Sequence, residues 1–215
     1  MKMAKKLVAV LLAGVLALSV LTACSGGAGP LTEETVMDYL LDMGKASGYR
    51  FKKDEVMATA AKNVLTFIDD TASASKYDGK TAAEIFKAVM TDKGAQKEIS
   101  KLVPQPKEEG YTCTVSCAMV ESYNTSWFQQ GQTAVVATSL LLNQRGLWYP
   151  EEGTQTAPAG ELVGVAEGTI KGQQCMIAVF KFDEESHEGG AMPDEKPDEK
   201  KDSSEVTTEP KVDVE

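Results

Sequence analysis

The side chains that could carry nucleophilic or metal chemistry in this chain are four cysteines and one histidine. The histidine, His187, lies in an acidic C-terminal stretch, so a serine or cysteine nucleophile elsewhere lacks an imidazole base. A zinc or iron site would depend on Cys113, Cys117 and Cys175. Cys113 and Cys117 alternate with polar residues as on a strand, which separates them by about 13 Å. At that separation they cannot share an ion or form a disulfide.

Cys175 could form a disulfide with one of these two cysteines only if their strands are neighbours. At least one thiol must then be free and buried, and we expect all three to be. We interpret the cysteines as small buried side chains. The sequence therefore predicts no catalytic residue, no metal ligand and no cofactor.

Neighbouring carboxylates form three pairs, Asp69-Asp70, Glu108-Glu109 and Glu151-Glu152. We interpret these pairs as solvated turns. A glycosidase needs two carboxylates that face one cleft at a separation of about 5–10 Å. The sequence cannot place distant carboxylates relative to one another, so a carboxylate-dependent hydrolase stays open as an alternative.

An aromatic cluster, Trp148-Tyr149-Pro150, lies in the loop between a predicted helix and a predicted hairpin. Aromatic side chains in such a loop can stack on a sugar or a peptide, which makes Trp148 and Tyr149 the candidate ligand contacts. The alternative is that both rings close the end of the helix against the sheet.

The N-terminus combines a basic head with an uncharged run, residues 7–20, that ends at Leu21-Thr22-Ala23-Cys24. The run is too short to span a bilayer, which takes about 20 apolar residues, and it suits a secretory signal. Leu-Thr-Ala-Cys resembles the lipobox of bacterial lipoproteins. That resemblance implies cleavage before Cys24 and acylation of its thiol and amino group. The alternative is an ordinary signal peptide with Cys24 present by chance.

Charge and composition divide the chain into four parts. Residues 1–23 are the predicted signal peptide, 24–30 a flexible tether, 31–182 one domain and 183–215 an acidic tail of disordered composition. The whole chain carries a formal charge of −10, and the signal holds three lysines, so the remainder carries −13. Thirteen acids and four lysines give the tail −9 and leave the rest −4. No basic patch supports nucleic-acid binding or attraction to anionic lipid.

Apolar periodicity predicts an α+β domain with helices packed on a small, mostly antiparallel sheet of three or four strands. The helices are expected at 30–44, 54–68, 81–94, 95–103 and 125–145. The strands are expected at 111–119, 161–166 and 174–182, with a hairpin connection at 167–172.

Residues 162–166, Leu-Val-Gly-Val-Ala, and 175–180, Cys-Met-Ile-Ala-Val-Phe, resemble the end of a CAP domain. This superfamily comprises cysteine-rich secretory proteins, antigen 5 and pathogenesis-related 1. Its last strands follow a Val-Gly-Val pattern and finish in an aromatic residue, and helices lie where 56–68 and 125–145 are predicted. The resemblance covers 31–182 and implies an αβα sandwich.

Many CAP domains hold two histidines and two acidic residues in a central cleft, but residues 31–182 contain no histidine. The Ser-x-x-His motif of the family has no counterpart at Ser139, because Leu142 stands where the histidine would be. The loop at 145–160 is also longer than usual. The resemblance therefore implies a degenerate CAP domain.

Together these features predict a lipid-anchored lipoprotein on the extracytoplasmic face of the cell membrane. We expect a non-catalytic module that binds a cell-wall component or another envelope protein. The alternative is a carboxylate-dependent hydrolase acting on cell-wall polymers.

Overall fold

A computed structural model describes residues 31–120, 126–149, 153 and 155–183. The predicted signal, tether and tail, including Cys24, lie outside the described residues, apart from Asp183. The structure confirms the predicted α+β class. The helices are α1 (Glu33–Ala46), α2 (Glu55–Ala72), α3 (Ala82–Thr91), α4 (Lys93–Leu102) and α5 (Ser126–Leu142). The strands are β1 (Lys52–Lys53), β2 (Tyr111–Met119), β3 (Arg145–Gly146), β4 (Leu162–Ile170) and β5 (Gln173–Asp183).

The described residues form one sheet of five strands in the order β1-β4-β5-β2-β3. β1 pairs with β4 in parallel, and the other three pairings are antiparallel. The sheet is thus wider than predicted, because β1 and β3 add two edge strands of two residues each. Strands this short have no side-chain alternation that a sequence pattern could detect.

Helices cover both faces of the sheet. One face packs against α2, α3 and α4 through Cys113, Val115, Cys117, Leu162, Ala166, Ile170, Cys175, Ile177 and Val179. The other packs against α1 and α5 through Ala118, Val120, Val163, Val165, Met176, Ala178, Phe180 and Phe182. The result is a three-layered α/β/α arrangement with the long strands in the middle.

Two helices end earlier than predicted. α3 ends at Thr91 rather than at Gly94, because Asp92 is both the C-cap of α3 and the N-cap of α4. Its backbone N–H donates to Val89 O, and its carboxylate accepts the Ala95 N–H at 2.9 Å. α5 was expected to reach Arg145 but ends at Leu142, since Arg145 and Gly146 pair with β2 as β3.

The hairpin between β4 and β5 turns through two residues, Lys171 and Gly172, both with positive φ. The predicted connection at 167–172 is therefore too long, because β4 continues to Ile170 and pairs with β5 over its whole length. Positive φ at both turn residues is what a two-residue type I′ hairpin requires, because this turn matches the twist of the two strands. The Asp69 carboxylate on α2 accepts the Lys171 N–H at 2.8 Å and so ties the turn to a helix. Asp69 is therefore not the solvated turn residue that its position beside Asp70 suggested.

The three cysteines of the described domain are buried and free, as predicted. All three face the α2–α4 layer. Burial raises the pKa of Cys113 to about 12. A hydrogen bond from the Cys117 thiol to Cys175, together with burial, raises the pKa of Cys117. Because the thiolate is the reactive form, these thiols are unreactive while the domain stays closed.

β4 contacts α2 most closely at Gly164, the glycine of the Val-Gly-Val sequence. A Cβ at this position would lie 2.0 Å from Ala58 N and 2.1 Å from Met57 C. These are backbone atoms of the first turns of α2, which cannot move aside as a flexible side chain would. The glycine therefore sets the distance between α2 and the sheet.

We predict that Gly164→Ala lowers the free energy of unfolding by about 3 kcal/mol, because the methyl group forces helix and sheet apart. Gly131→Ala is the matched control, since Gly131 is exposed in α5 with nothing within 4 Å of the added Cβ. That change should raise stability by up to about 1 kcal/mol. Urea denaturation followed by circular dichroism measures both, and equal stabilities would contradict the close packing.

Candidate functional site

The predicted ligand contacts, Trp148 and Tyr149, are both half-buried in the loop after β3. The Trp148 N–H donates to Gln96 Oε1 at 3.4 Å. Gln96 is itself buried, and its amide donates to Met90 O at 2.7 Å. The loop is thus tied to α3 and α4. Neither aromatic residue lines the two surface pockets below, and their role as ligand contacts stays a prediction.

The carboxylate of Glu108 has a different environment from the solvated turn that the sequence suggested. It forms a salt bridge with Lys181, whose side chain is fully buried. Its other oxygen accepts the Gly160 N–H at 2.9 Å. The pair Glu151-Glu152 lies outside the described residues, so that interpretation stays a prediction.

Lys181 contacts two loops, the one between α4 and β2 that holds Glu108 and the one between β3 and β4 that holds Pro158. Its ammonium also donates to Pro158 O at 2.6 Å and lies 4.8 Å from the centre of the Tyr111 ring. The same loops are joined by backbone hydrogen bonds of 2.8 Å between Gln105 and residues 155 and 157. A buried charge requires such partners, and here they hold the two loops against β5.

A charged pocket of about 640 Å³ lies next to this cluster, lined by Ser47, Gly48, Arg50, Lys52, Tyr111, Gly160, Glu161 and Asp183. It brings together two carboxylates, Glu161 and Asp183, that are distant in sequence. The Glu161 carboxylate accepts the backbone N–H of Arg50. Burial, with the charge of Asp183 as the next cause, raises the pKa of Tyr111. No sequence pattern predicts this pocket, because its lining residues come from distant parts of the chain.

A second groove, of about 390 Å³, follows the outer edge of β2; we call it the edge groove. Cys117, Ala118 and Met119 of β2 form its floor. Ala83, Phe86 and Lys87 of α3 form one wall, and Gln132, Val135, Val136 and Ser139 of α5 the other, with Asn143 and Arg145 at one end. Val135 is 62% exposed, and Leu142 is a second exposed large apolar residue on α5.

The floor of the edge groove is an unpaired strand edge. β3 pairs with β2 only at Thr114 and Val115. The Val120 N–H donates to Gln174 O, and hydrogen-bonded positions alternate along an antiparallel pair. Cys117 and Met119 therefore direct their N–H and C=O groups away from β5. Among the residues that the structure describes, these outward groups have no hydrogen-bond partner.

An unpaired edge between two helical walls can accept one extended strand, because backbone groups supply the hydrogen bonds and the walls contact its side chains. This is the chemical capacity of the edge groove. No single sequence motif marks it, since its lining comes from segments between residues 83 and 145.

No family model, no curated protein and no solved structure matches the chain. The CAP and lipoprotein resemblances accordingly stay predictions. Within the described ranges, no helix has the length and apolarity to cross a membrane, and no three side chains among His, Cys, Asp and Glu are grouped to hold a metal ion.

We predict that Glu108→Gln lowers the free energy of unfolding by about 2 kcal/mol, because it leaves the buried Lys181 ammonium without its carboxylate. Bonds from Lys181 and Gly160 lower the pKa of Glu108 from its ordinary 4.5. A carboxyl group with a lowered folded-state pKa stabilises the fold above its ordinary pKa and loses that effect as pH falls through the lowered value. The difference in free energy of unfolding between Glu108→Gln and the unsubstituted protein should therefore be largest above pH 4.5 and should disappear as the pH falls below that value.

Chemical denaturation at a series of pH values measures this difference. Glu98→Gln is the control, because Glu98 forms an exposed salt bridge of 2.7 Å with Lys101. It should change stability by less than about 1 kcal/mol. A Glu108→Gln effect that equals the control, or that does not vary with pH, would contradict a stabilising role for the pair.

Proposed function

We propose that this chain is a lipid-anchored, non-catalytic lipoprotein of the extracytoplasmic membrane face that binds a cell-envelope component in its edge groove. The single observation that carries the binding role is the unpaired edge of β2 between α3 and α5. The partner is a component that presents an extended chain, either another envelope protein or part of the cell wall.

The anchor rests on the N-terminal sequence, in which a basic head and an uncharged run lead to Leu21-Thr22-Ala23-Cys24. Two or more acyl chains on Cys24 would hold the protein stably, whereas one holds it only marginally. The remaining charge of −13 gives no attraction to anionic lipid, so the acyl chains must supply the attachment.

The binding role rests on how the edge groove differs from the rest of the sheet. β5 is paired along both edges and covered by helices on both faces, so its backbone groups are already used. Among the described residues, the outward backbone groups of Cys117 and Met119 have no partner, and the exposed Val135 offers apolar contact. An extended chain would satisfy both at once.

The experiment expresses the full chain in a bacterium fed an alkyne-tagged fatty acid. The unsubstituted protein should incorporate the lipid and enter the detergent phase, and Cys24→Ala should do neither. Envelope components are then cross-linked to Ala83→Trp, which fills the edge groove, and to Ala46→Trp, which adds the same side chain at an exposed position on α1. The proposal requires a component that is captured by the unsubstituted protein and Ala46→Trp and lost with Ala83→Trp. Equal capture by both variants would disprove binding in the edge groove.

A second candidate function, hydrolysis of cell-wall polymers, is supported by Glu161 and Asp183 in the charged pocket. Two carboxylates on one cleft are the minimum that glycoside hydrolysis needs. The test measures soluble sugar released from purified cell wall by the full chain. Release that Glu161→Gln and Asp183→Asn each abolish, but Glu98→Gln does not, would establish the hydrolase. No release by the unsubstituted protein would eliminate it.

A further inference from the structure

The edge groove has a charge preference as well as a shape. Lys87 places a positive charge in its α3 wall, and none of the described residues that line it carries a carboxylate. Its floor accepts one extended strand, and its walls contribute Phe86, Val135 and Val136. A matching occupant would combine an extended backbone, small apolar side chains and negative charge.

The chain contains such a segment at its own C-terminus. Residues 206–215 read Val-Thr-Thr-Glu-Pro-Lys-Val-Asp-Val-Glu and contain every valine found after Asp183. Val212-Asp213-Val214-Glu215 alternates apolar and acidic residues, which on a strand places the valines on one face and the carboxylates on the other. Val206-Thr207-Thr208 is a further β-branched run.

We propose that residues 206–215 occupy the edge groove of the same molecule as an added strand on β2. Asp213 and Glu215 would lie on the face toward Lys87 of α3, and the valines on the opposite face would contact Val135 and Val136 of α5. The outward backbone groups of Cys117 and Met119 would gain hydrogen-bond partners. The proposed envelope ligand would then have to displace this segment, which makes the tail an intramolecular competitor.

The connection is long enough, and its length suits the span. β5 ends at Asp183, which pairs with Tyr111 at the far end of β2 from the groove. The eight steps from Tyr111 to Met119 correspond to about 27 Å. Residues 184–205 would have an end-to-end distance of about 26 Å as a coil. A linker whose mean length matches the span gives the largest effective concentration, in the millimolar range.

The experiment uses the full mature chain with Cys24→Ser, so that no lipid is attached, and a zero-length carbodiimide cross-linker. Lys87 should form amide bonds to Asp213 or Glu215 roughly tenfold more than Lys62, an exposed lysine on α2. Mass spectrometry of the digested monomer counts both products. Equal yields at Lys87 and Lys62 would overturn the proposal.

Two variants test strand addition itself. Met119→Pro removes an N–H that points into the groove and that β5 does not use, so the ladder with β5 is kept. It should lower the Lys87 cross-link to the Lys62 level, whereas Met119→Leu should not. Ala83→Trp should lower it from the opposite side of the groove. A cross-link that survives both changes would overturn the proposal.

Dilution distinguishes a cross-link within one molecule from a cross-link between two copies of the chain. The yield should not change over a hundredfold dilution, and a yield that falls with concentration would overturn the intramolecular contact. These measurements need no envelope component, so their failure leaves the proposed function standing. If the Lys87 cross-link forms but no envelope component is captured, only the proposed function is disproved.

Discussion

Double-sided burial of the middle strand is the constraint on which the rest of the structure depends. β5 is paired with β4 on one edge and β2 on the other, and helices cover both of its faces. Its residues from Cys175 to Phe182 are almost wholly inaccessible to solvent. Lys181 places a charge in this strand, and the cost of burying it is met by Glu108, Pro158 O and the Tyr111 ring. Two loops are thereby drawn to β5, and any binding is left to the margins of the sheet.

The elements that the sequence predicted best are those with a strong internal period. β2 was expected at Tyr111 to Met119 and has those bounds, because apolar and polar residues alternate along it. The hairpin between β4 and β5 was predicted because two apolar runs are separated by 167–172, but its turn is only Lys171 and Gly172, since β4 continues to Ile170. β1 and β3 were missed because two residues have no period, and their pairing is set by the strands beside them. The boundary between α3 and α4 was predicted at Gly94, because glycine is the more usual residue at the end of a helix. It lies at Asp92, which caps the end of α3 and the start of α4.

The candidate sites were harder to predict, because each depends on residues that only the fold brings together. Lys181 and Glu108 are separated by 73 residues, and a lysine near the end of a strand is ordinarily solvated. The edge groove requires that β3 stop after two residues while α3 and α5 extend past it, which is a relation between lengths of three elements. Trp148 and Tyr149 attracted attention as aromatic residues in a loop, yet Trp148 is bonded to a buried glutamine that no local pattern pointed to. The aromatic cluster can be read from consecutive residues, whereas the groove depends on how the strands pair at the edge of the sheet.

A strand in the edge groove would feel both the net charge of the whole chain and the charges in the groove lining. The chain without its signal carries −13, which taken alone would repel an acidic segment. At physiological ionic strength that repulsion is screened beyond about 8 Å, so distant carboxylates act weakly on a segment already in the groove. Lys87 and Arg145 lie in the lining itself, within the distance at which screening is incomplete. For a strand bound as proposed, the nearby Lys87 charge would therefore act more strongly than the distant carboxylates, while the overall charge would slow the approach of acidic partners from solution. A segment tethered to the same chain avoids that slow approach, since its encounter with the groove is fixed by linker length rather than by diffusion against the field.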